Sequence, residues 1–285
     1  MLGFLFFILE YYMIKFYIFS NGQLFVSNEL NFFIQSNQSK ILFVFHGLYG
    51  RARNWQSMAK KLSLDGSIIV ISVDLRNHGE NLFDEDHSYS LMMEDIIKLF
   101  NYLNIKKTNL LGHSMGGKLA MLLSLTYPEF VNKLIIADIA PIDYQDDEGE
   151  IINSLLDLDL NLIQSRNDAD KILSIKIVDK SLRMFLLQNL QLVNGRYEWG
   201  VNLKVIKKSM NNLKSFPILS EAKKNNQEAL CIYGANSKYV TNTNLVSFEK
   251  YFANISFVKI NDAGHLLHVE NPDAFYLALI NFLHN

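Results

Sequence analysis

Ser114 lies in Leu110-Leu111-Gly112-His113-Ser114-Met115-Gly116-Gly117, a Gly-x-Ser-x-Gly pattern. An apolar run precedes it, and Lys118 to Leu125, which has helical character, follows it. Strand, sharp turn and helix in this order lift a serine hydroxyl off the end of a strand and put a helix N-terminus behind it. The flanking glycines suit a turn too tight for side chains at positions 112 and 116. The N–H of Met115 and the positive end of the helix then face the place where an oxyanion would develop. The chemistry this predicts is nucleophilic attack by serine on an acyl carbon.

A serine hydroxyl attacks only if a base takes its proton, and the base needs an acid to hold its tautomer. Three histidines follow Ser114 in the chain: His265, His268 and His284. His265, in Asp262-Ala263-Gly264-His265, comes directly after the last apolar strand and is the candidate base. His268 reads as a structural hydrogen bonder and His284 as a solvated terminal residue. The usual loop for the acid follows Tyr233, but it reads Gly234-Ala235-Asn236-Ser237, and the next carboxylate is Glu249. One strand earlier, Asp138-Ile139-Ala140-Pro141 offers Asp138, whose alternative role is capping a turn. The second oxyanion donor is expected from the backbone of Leu48, after His46-Gly47. Gly47, Tyr49 and Leu266 are expected to line the substrate site. His46 is expected beside them, orienting the loop rather than acting as a base. Asp74, Arg76 and His78 read as a loop-locking polar network, with lining the site as the second reading, and His113 as a supporting hydrogen bonder.

These residues need a scaffold that brings strand ends together. Ile41 to Phe45, Ser67 to Val73, the strand before Ser114, Lys133 to Ala137, Ala229 to Tyr233 and Ser256 to Ile260 are apolar runs suited to strands buried on both faces. Helical patterns alternate with them: Asn54 to Leu64, a helix capped by Ser90 through Phe100, Thr243 to Phe252 and Pro272 to Leu283. Phe25 to Gln35 reads as an edge strand or hairpin. Strand–helix alternation predicts a mostly parallel α/β sheet flanked by helices. From Pro141 to about Glu221 the rhythm stops and amphipathic segments such as Ile151 to Leu158 and Ser181 to Leu190 take over. The expected division is an N-terminal extension over 1–24, a core over 25–140 and 222–285, and a helical cap over 141–221, inserted after the sixth strand. The alternative for the insertion is a helical subdomain without contact to the site.

The chain has 285 residues, 49% hydrophobic and 20% charged, with a net charge of −2. That balance suits a large core and offers no basic surface for nucleic acid. The single cysteine, Cys231, lies in an apolar run, excludes an internal disulfide and fits a reducing, cytoplasmic setting. Residues 2–19 are apolar apart from Glu10 and Lys15 and lack the flanks of a secretory signal. They read as a packed N-terminal element, as a start assigned ahead of Met13, or, ranked last, as a membrane anchor.

In these residues the chain resembles the α/β-hydrolase superfamily over about residues 25–285, and within it the YbfF-type esterases. The matching stretches are His46 to Gly50, Asn54-Trp55, Val73 to Gly79, Gly112 to Lys118, Asp138 to Pro141, Gly234 to Tyr239 and Gly264-His265. The resemblance implies that Asp138 is the acid, since that family carries Asn-Ser where other hydrolases carry it. It also implies hydrolysis of short acyl esters, with acyl-CoA thioesters as possible substrates, and no metal or cofactor. Tyr49 in place of Phe, and Leu266-Leu267 in place of a Trp-Val pair, depart from the family at the pocket wall. Carbon–carbon hydrolase or perhydrolase chemistry on the same triad, or a non-catalytic ligand-binding protein, are the alternatives. Oligomeric state is not encoded in any feature of the sequence.

Overall fold

A computed structural model describes residues 8–9, 12–24, 37, 40–145, 148–217 and 224–284. The strands are β1 (Ile8–Leu9), β2 (Tyr12–Met13), β3 (Phe16–Ser20), β4 (Gln23–Leu24), β5 (Ile41–Phe45), β6 (Ile69–Val73), β7 (Thr108–His113), β8 (Val131–Ala137), β9 (Leu190–Val193), β10 (Arg196–Trp199), β11 (Asn225–Gly234) and β12 (Phe252–Ile260). The helices are α1 (Gln56–Leu62), α2 (Tyr89–Tyr102), α3 (Met115–Thr126), α4 (Glu148–Leu156), α5 (Arg166–Leu173), α6 (Lys180–Leu187), α7 (Leu203–Lys214), α8 (Val246–Glu249), α9 (Leu267–Glu270) and α10 (Pro272–His284). Eight strands form one sheet in the order β12-β11-β8-β7-β5-β6-β3-β4.

From β12 to β6 every pairing is parallel; at the edge β3 pairs antiparallel with β6, and β4 antiparallel with β3. Alternation along β5 shows why both faces are apolar. Ile41, Phe43 and Phe45 enter the core on one side with α2 and α3. Leu42 and Val44 enter a second core on the other side with α1 and α10. Each large aliphatic or aromatic side chain so buried contributes on the order of 1.5–3 kcal/mol against water. The chain runs from β5 to β6 on one side and then returns to β7 on the other side of β5. That reversal opens a crevice at the C-terminal ends of β5 and β7, where open α/β sheets bind ligands.

One expectation changes at the N-terminus. Phe16–Ser20 pairs with β6 along its length, so the sheet starts inside the segment expected to be an extension over 1–24. Its side chains alternate into the core, with Phe16, Ile18 and Phe19 buried, which is what the apolar composition there serves. The strand expected over 25–35 lies outside the described residues. No helix among the described residues is long and apolar enough to cross a membrane.

Between β8 and β11 the chain builds α4, α5, α6, the β9–β10 hairpin and α7. The hairpin stands in a segment whose sequence pattern suggests a mainly helical insertion; its turn is Asn194-Gly195, both at positive φ (49° and 81°). Asn-Gly is the residue pair such a two-residue turn favours. Elsewhere Ser88, not Ser90, caps α2, accepting from the N–H of Leu91. The helix expected over 243–252 shortens to α8.

Candidate active site

The turn between β7 and α3 is held by contacts that only glycine allows. A Cβ on Gly112 would collide with the carbonyl of Gly116, and one on Gly116 with the carbonyl of Phe45 on the neighbouring strand. Between them Ser114 takes φ 51° and ψ −118°. Its N–H donates to the Ala137 carbonyl at 3.0 Å, tying the turn to β8. Tyr49 (φ 59°) and Asp138 (φ 52°) are also left-handed. Each such non-glycine residue costs on the order of 1–3 kcal/mol, strain that persists where surrounding structure enforces a site.

Asp138 follows β8 and is fully buried. Its Oδ2 accepts from Nδ1 of His265 at 2.7 Å and from the hydroxyl of Ser237. Its Oδ1 accepts from the N–H of Gly234 at 3.1 Å. The loop that carries no acid, Gly234 to Ser237, therefore supplies donors to an acid from the neighbouring strand. With Nδ1–H held by the carboxylate, Nε2 of His265 is the nitrogen with the lone pair. The imidazole also stacks on Tyr239, centroids 3.9 Å apart. The loop carrying His265 is fixed from both sides. Nε2–H of His113 donates to the His265 carbonyl at 2.8 Å. Glu270 accepts from the N–H groups of Gly264 and Leu266 at 2.6 and 3.0 Å. Burial, with the nearby His265 and His268, holds the pKa of His113 well below its usual value, so it stays neutral.

Ser114 and His265 line one cavity of about 410 Å³ together with Gly47, Leu48, Tyr49, Met115, Asn236 and Leu266. The segment between β8 and β11 forms much of its wall through Ile151, Leu182, Phe185, Met210 and Leu213. Met115 is the first residue of α3, so its N–H has no partner within the helix. Gly47 lets the loop after β5 approach: a Cβ there would stand 2.8 Å from Nδ1 of His113 and 3.1 Å from Cβ of Ser114. A serine, an imidazole held by a carboxylate and helix N-terminal amides in one cavity are the parts that acyl transfer to serine requires.

Two expectations need correction. His46 does not line the cavity. Its ring is buried behind the loop, Nε2 accepting from the N–H of Leu75 at 2.9 Å and Nδ1–H donating to the Gly47 carbonyl at 2.8 Å. Those bonds orient the loop, and burial keeps the ring neutral. His268 stacks flat on Trp55, centroids 4.2 Å apart, rather than serving as a hydrogen bonder; its buried Nδ1 has no partner among the described residues. Asp74, Arg76 and His78 form the expected loop-locking network and lie outside the cavity. Asp74 accepts from the N–H groups of Ala52 and Glu80, Arg76 pairs with Asp95 and Asp84, and His78 accepts from the N–H of Tyr49. Cys231 is fully buried and its thiol is pushed up by burial, which makes it inert.

Sequence reasoning missed Lys118. It is only 2% exposed although charged, and its Nζ donates to the carbonyls of Lys214 and Ser215 at 2.5 and 2.9 Å. It thus joins the helix behind Ser114 to the C-terminal end of α7, where a cation is favoured. Its position four residues after Ser114, on an otherwise apolar helix, was the only signal.

Among known proteins, the family model described as alpha/beta hydrolase fold matches residues 40–272. Esterase YbfF of Escherichia coli is 32% identical over 255 residues, covering 88% of this chain and 95% of that protein. The mouse protein named sn-1-specific diacylglycerol lipase ABHD11 is 33% identical over 244 residues, 84% of this chain and 79% of its own. A solved structure described as a marine microorganism esterase superposes with a TM-score of 0.84 at 32% identity, covering 94% of this chain and 98% of that one. The chain belongs to the α/β-hydrolase fold family, among relatives named as esterases and lipases.

Proposed function

We propose that this protein is a carboxylic ester hydrolase that works through an acyl-enzyme on Ser114. Nε2 of His265 takes the hydroxyl proton as Oγ of Ser114 bonds to the acyl carbon. The oxyanion that forms accepts from the N–H groups of Leu48 and Met115. Collapse breaks the bond to the leaving oxygen or sulfur, which receives the proton from His265. Water then repeats the sequence, its proton going to His265, and releases the acid and Ser114. Asp138 keeps Nδ1–H in place throughout and stabilises the imidazolium. The observation that carries this reading is the 2.7 Å bond between Asp138 and His265 over a cavity that also holds Ser114.

The apolar wall of Ile139, Ile151, Leu182 and Phe185 suits the acyl chain. Short acyl esters are the proposed substrates, and thioesters such as acyl-CoA fit the same chemistry because the thiolate is a good leaving group. The relatives named as an esterase and as a diacylglycerol lipase support ester cleavage. The test is hydrolysis of p-nitrophenyl esters from acetate upward and of acyl-CoA, combined with a fluorophosphonate probe read by mass spectrometry. Labelling at Ser114, with loss of both labelling and hydrolysis in Ser114→Ala, is expected. Turnover that survives Ser114→Ala sinks the mechanism.

A further inference from the structure

The turn between α5 and α6 carries large aliphatic side chains pointing into water. Ile175 is 81% exposed and Val178 86%; Ile172 and Met184 beside them are about half exposed. This turn is built, not loose. Arg183 is buried, and its guanidinium donates to the carbonyls of Ile177 and Val178 at 2.8 and 2.9 Å and to Asp170 at 2.6 Å. Ile177 points inward and is buried, so the same bonds that seat it hold Ile175 and Val178 outward. Several exposed aliphatic residues within one short segment mark an interaction surface rather than ordinary scatter.

The charge around them says what kind. Lys171, Lys176 and Lys180 are exposed and interleave with the aliphatic residues. Over residues 166–187 there are five cationic side chains against three acidic ones, while the whole chain carries −2. Lys176 meets Asp157 and Lys171 meets Asp168, but pairs this exposed are weak and rearrange readily. Aliphatic residues flanked by lysines suit the boundary between acyl chains and anionic headgroups. The same helix faces the active-site cavity: Leu182 and Phe185 line it, while Met184 between them is exposed.

We propose that the α5–α6 turn docks this protein on an anionic lipid surface, inserting Ile175 and Val178 beside the cavity mouth. An amphiphilic ester then reaches Ser114 from the lipid layer past Leu182 and Phe185. Delivery rests on the ester-hydrolase reading above; docking does not.

Flotation with vesicles of phosphatidylcholine and phosphatidylglycerol tests it, alongside hydrolysis of soluble p-nitrophenyl butyrate. Wild type and Ser114→Ala are expected to float with the vesicles, less so in high salt. Ile175→Ser with Val178→Ser is expected to weaken flotation by at least about tenfold. Lys171→Glu, Lys176→Glu and Lys180→Glu together are expected to abolish the preference for anionic vesicles. Unchanged butyrate hydrolysis in the double serine and triple glutamate variants shows that they fold. Wild type that stays in the buffer, or a double serine variant that floats equally well, overturns docking. So does a wild-type dimer that the double variant dissociates, since a second copy then covers the face. A wild type that floats but hydrolyses no ester counts against the ester reading alone.

Discussion

Replacing Asp138 by Asn changes one charge and almost no volume, in a place where the structure defines the consequence. The buried carboxylate accepts three hydrogen bonds, from His265 Nδ1 and Ser237 on Oδ2 and from Gly234 N–H on Oδ1. An amide cannot accept on both sides. If its NH2 takes the Oδ2 position it faces two donors, and Nδ1 of His265 must give up its proton. Nε2 then carries it and no longer serves as a base. If the amide flips, the NH2 faces the Gly234 N–H, and a buried donor is left unpaired at a cost of roughly 1–3 kcal/mol. In both orientations the charge that stabilises the imidazolium is gone. A fall in kcat of about 10³- to 10⁴-fold is expected, equivalent to about 4–5.5 kcal/mol of barrier. The assay is p-nitrophenyl butyrate hydrolysis from about pH 6 to about pH 9, with thermal unfolding as the check on folding. An Asp138→Asn enzyme within about tenfold of wild type refutes the assignment. The search for the acid then moves to Glu270, a carboxylate that also lines the cavity.

Lys118→Met keeps the stem of the side chain but removes the donor to the carbonyls of Lys214 and Ser215. A stability loss of about 1–3 kcal/mol is expected, with KM raised more than kcat is lowered, because α7 forms the cavity wall and not the reacting groups. An unchanged melting temperature and KM count against that tether. Acid is expected to destabilise the fold. Burial lowers the pKa of His78 to about 4 and those of His87 and His268 to about 3, and pushes His46 and His113 well down. The unfolded chain therefore binds protons that the native state refuses. Stability from these groups is present above about pH 6.5 and is lost as pH falls toward their folded values, each approaching about 1.4 kcal/mol per pH unit. Asp74, raised by burial to about 6, acts in the opposite sense: its contribution is present at low pH and lost as pH rises through about 6. Asp95, whose carboxyl is also raised by burial, acts in the same sense as Asp74, so two groups stand against five. A melting temperature that does not fall between about pH 7.5 and about pH 5 contradicts this balance.

Local steric and apolar signals were legible along the chain. Gly112, Gly116 and the run from Leu110 mark the elbow because the constraint acts between near neighbours in sequence. The strands of the parallel sheet show as continuous apolar runs because both of their faces are buried. Where the pattern misled, a competing local preference won. The segment around 190–199 contains aliphatic and aromatic residues compatible with a helix, but Asn194-Gly195 turns it into a hairpin. Residues 16–20 look like an appendage by composition, yet they complete the sheet edge by pairing with Val70 to Val73.

The sequence by itself determined the α/β alternation, the turn that raises Ser114, and the absence of an acid in the loop after Tyr233. Each of these depends on residue type and short-range spacing. Only the tertiary structure decided what the distant groups do. It brings Asp138 and His265, 127 residues apart, to 2.7 Å, with Ser237 and Gly234 completing the carboxylate's bonds. It turns His46 away from the cavity into a loop brace, and makes buried Lys118 a link to α7. It also leaves Ile175 and Val178 in water while Ile177 is buried. Hydrogen-bond partners and side-chain direction depend on which strand ends meet, and that is fixed by long-range packing rather than by any local stretch.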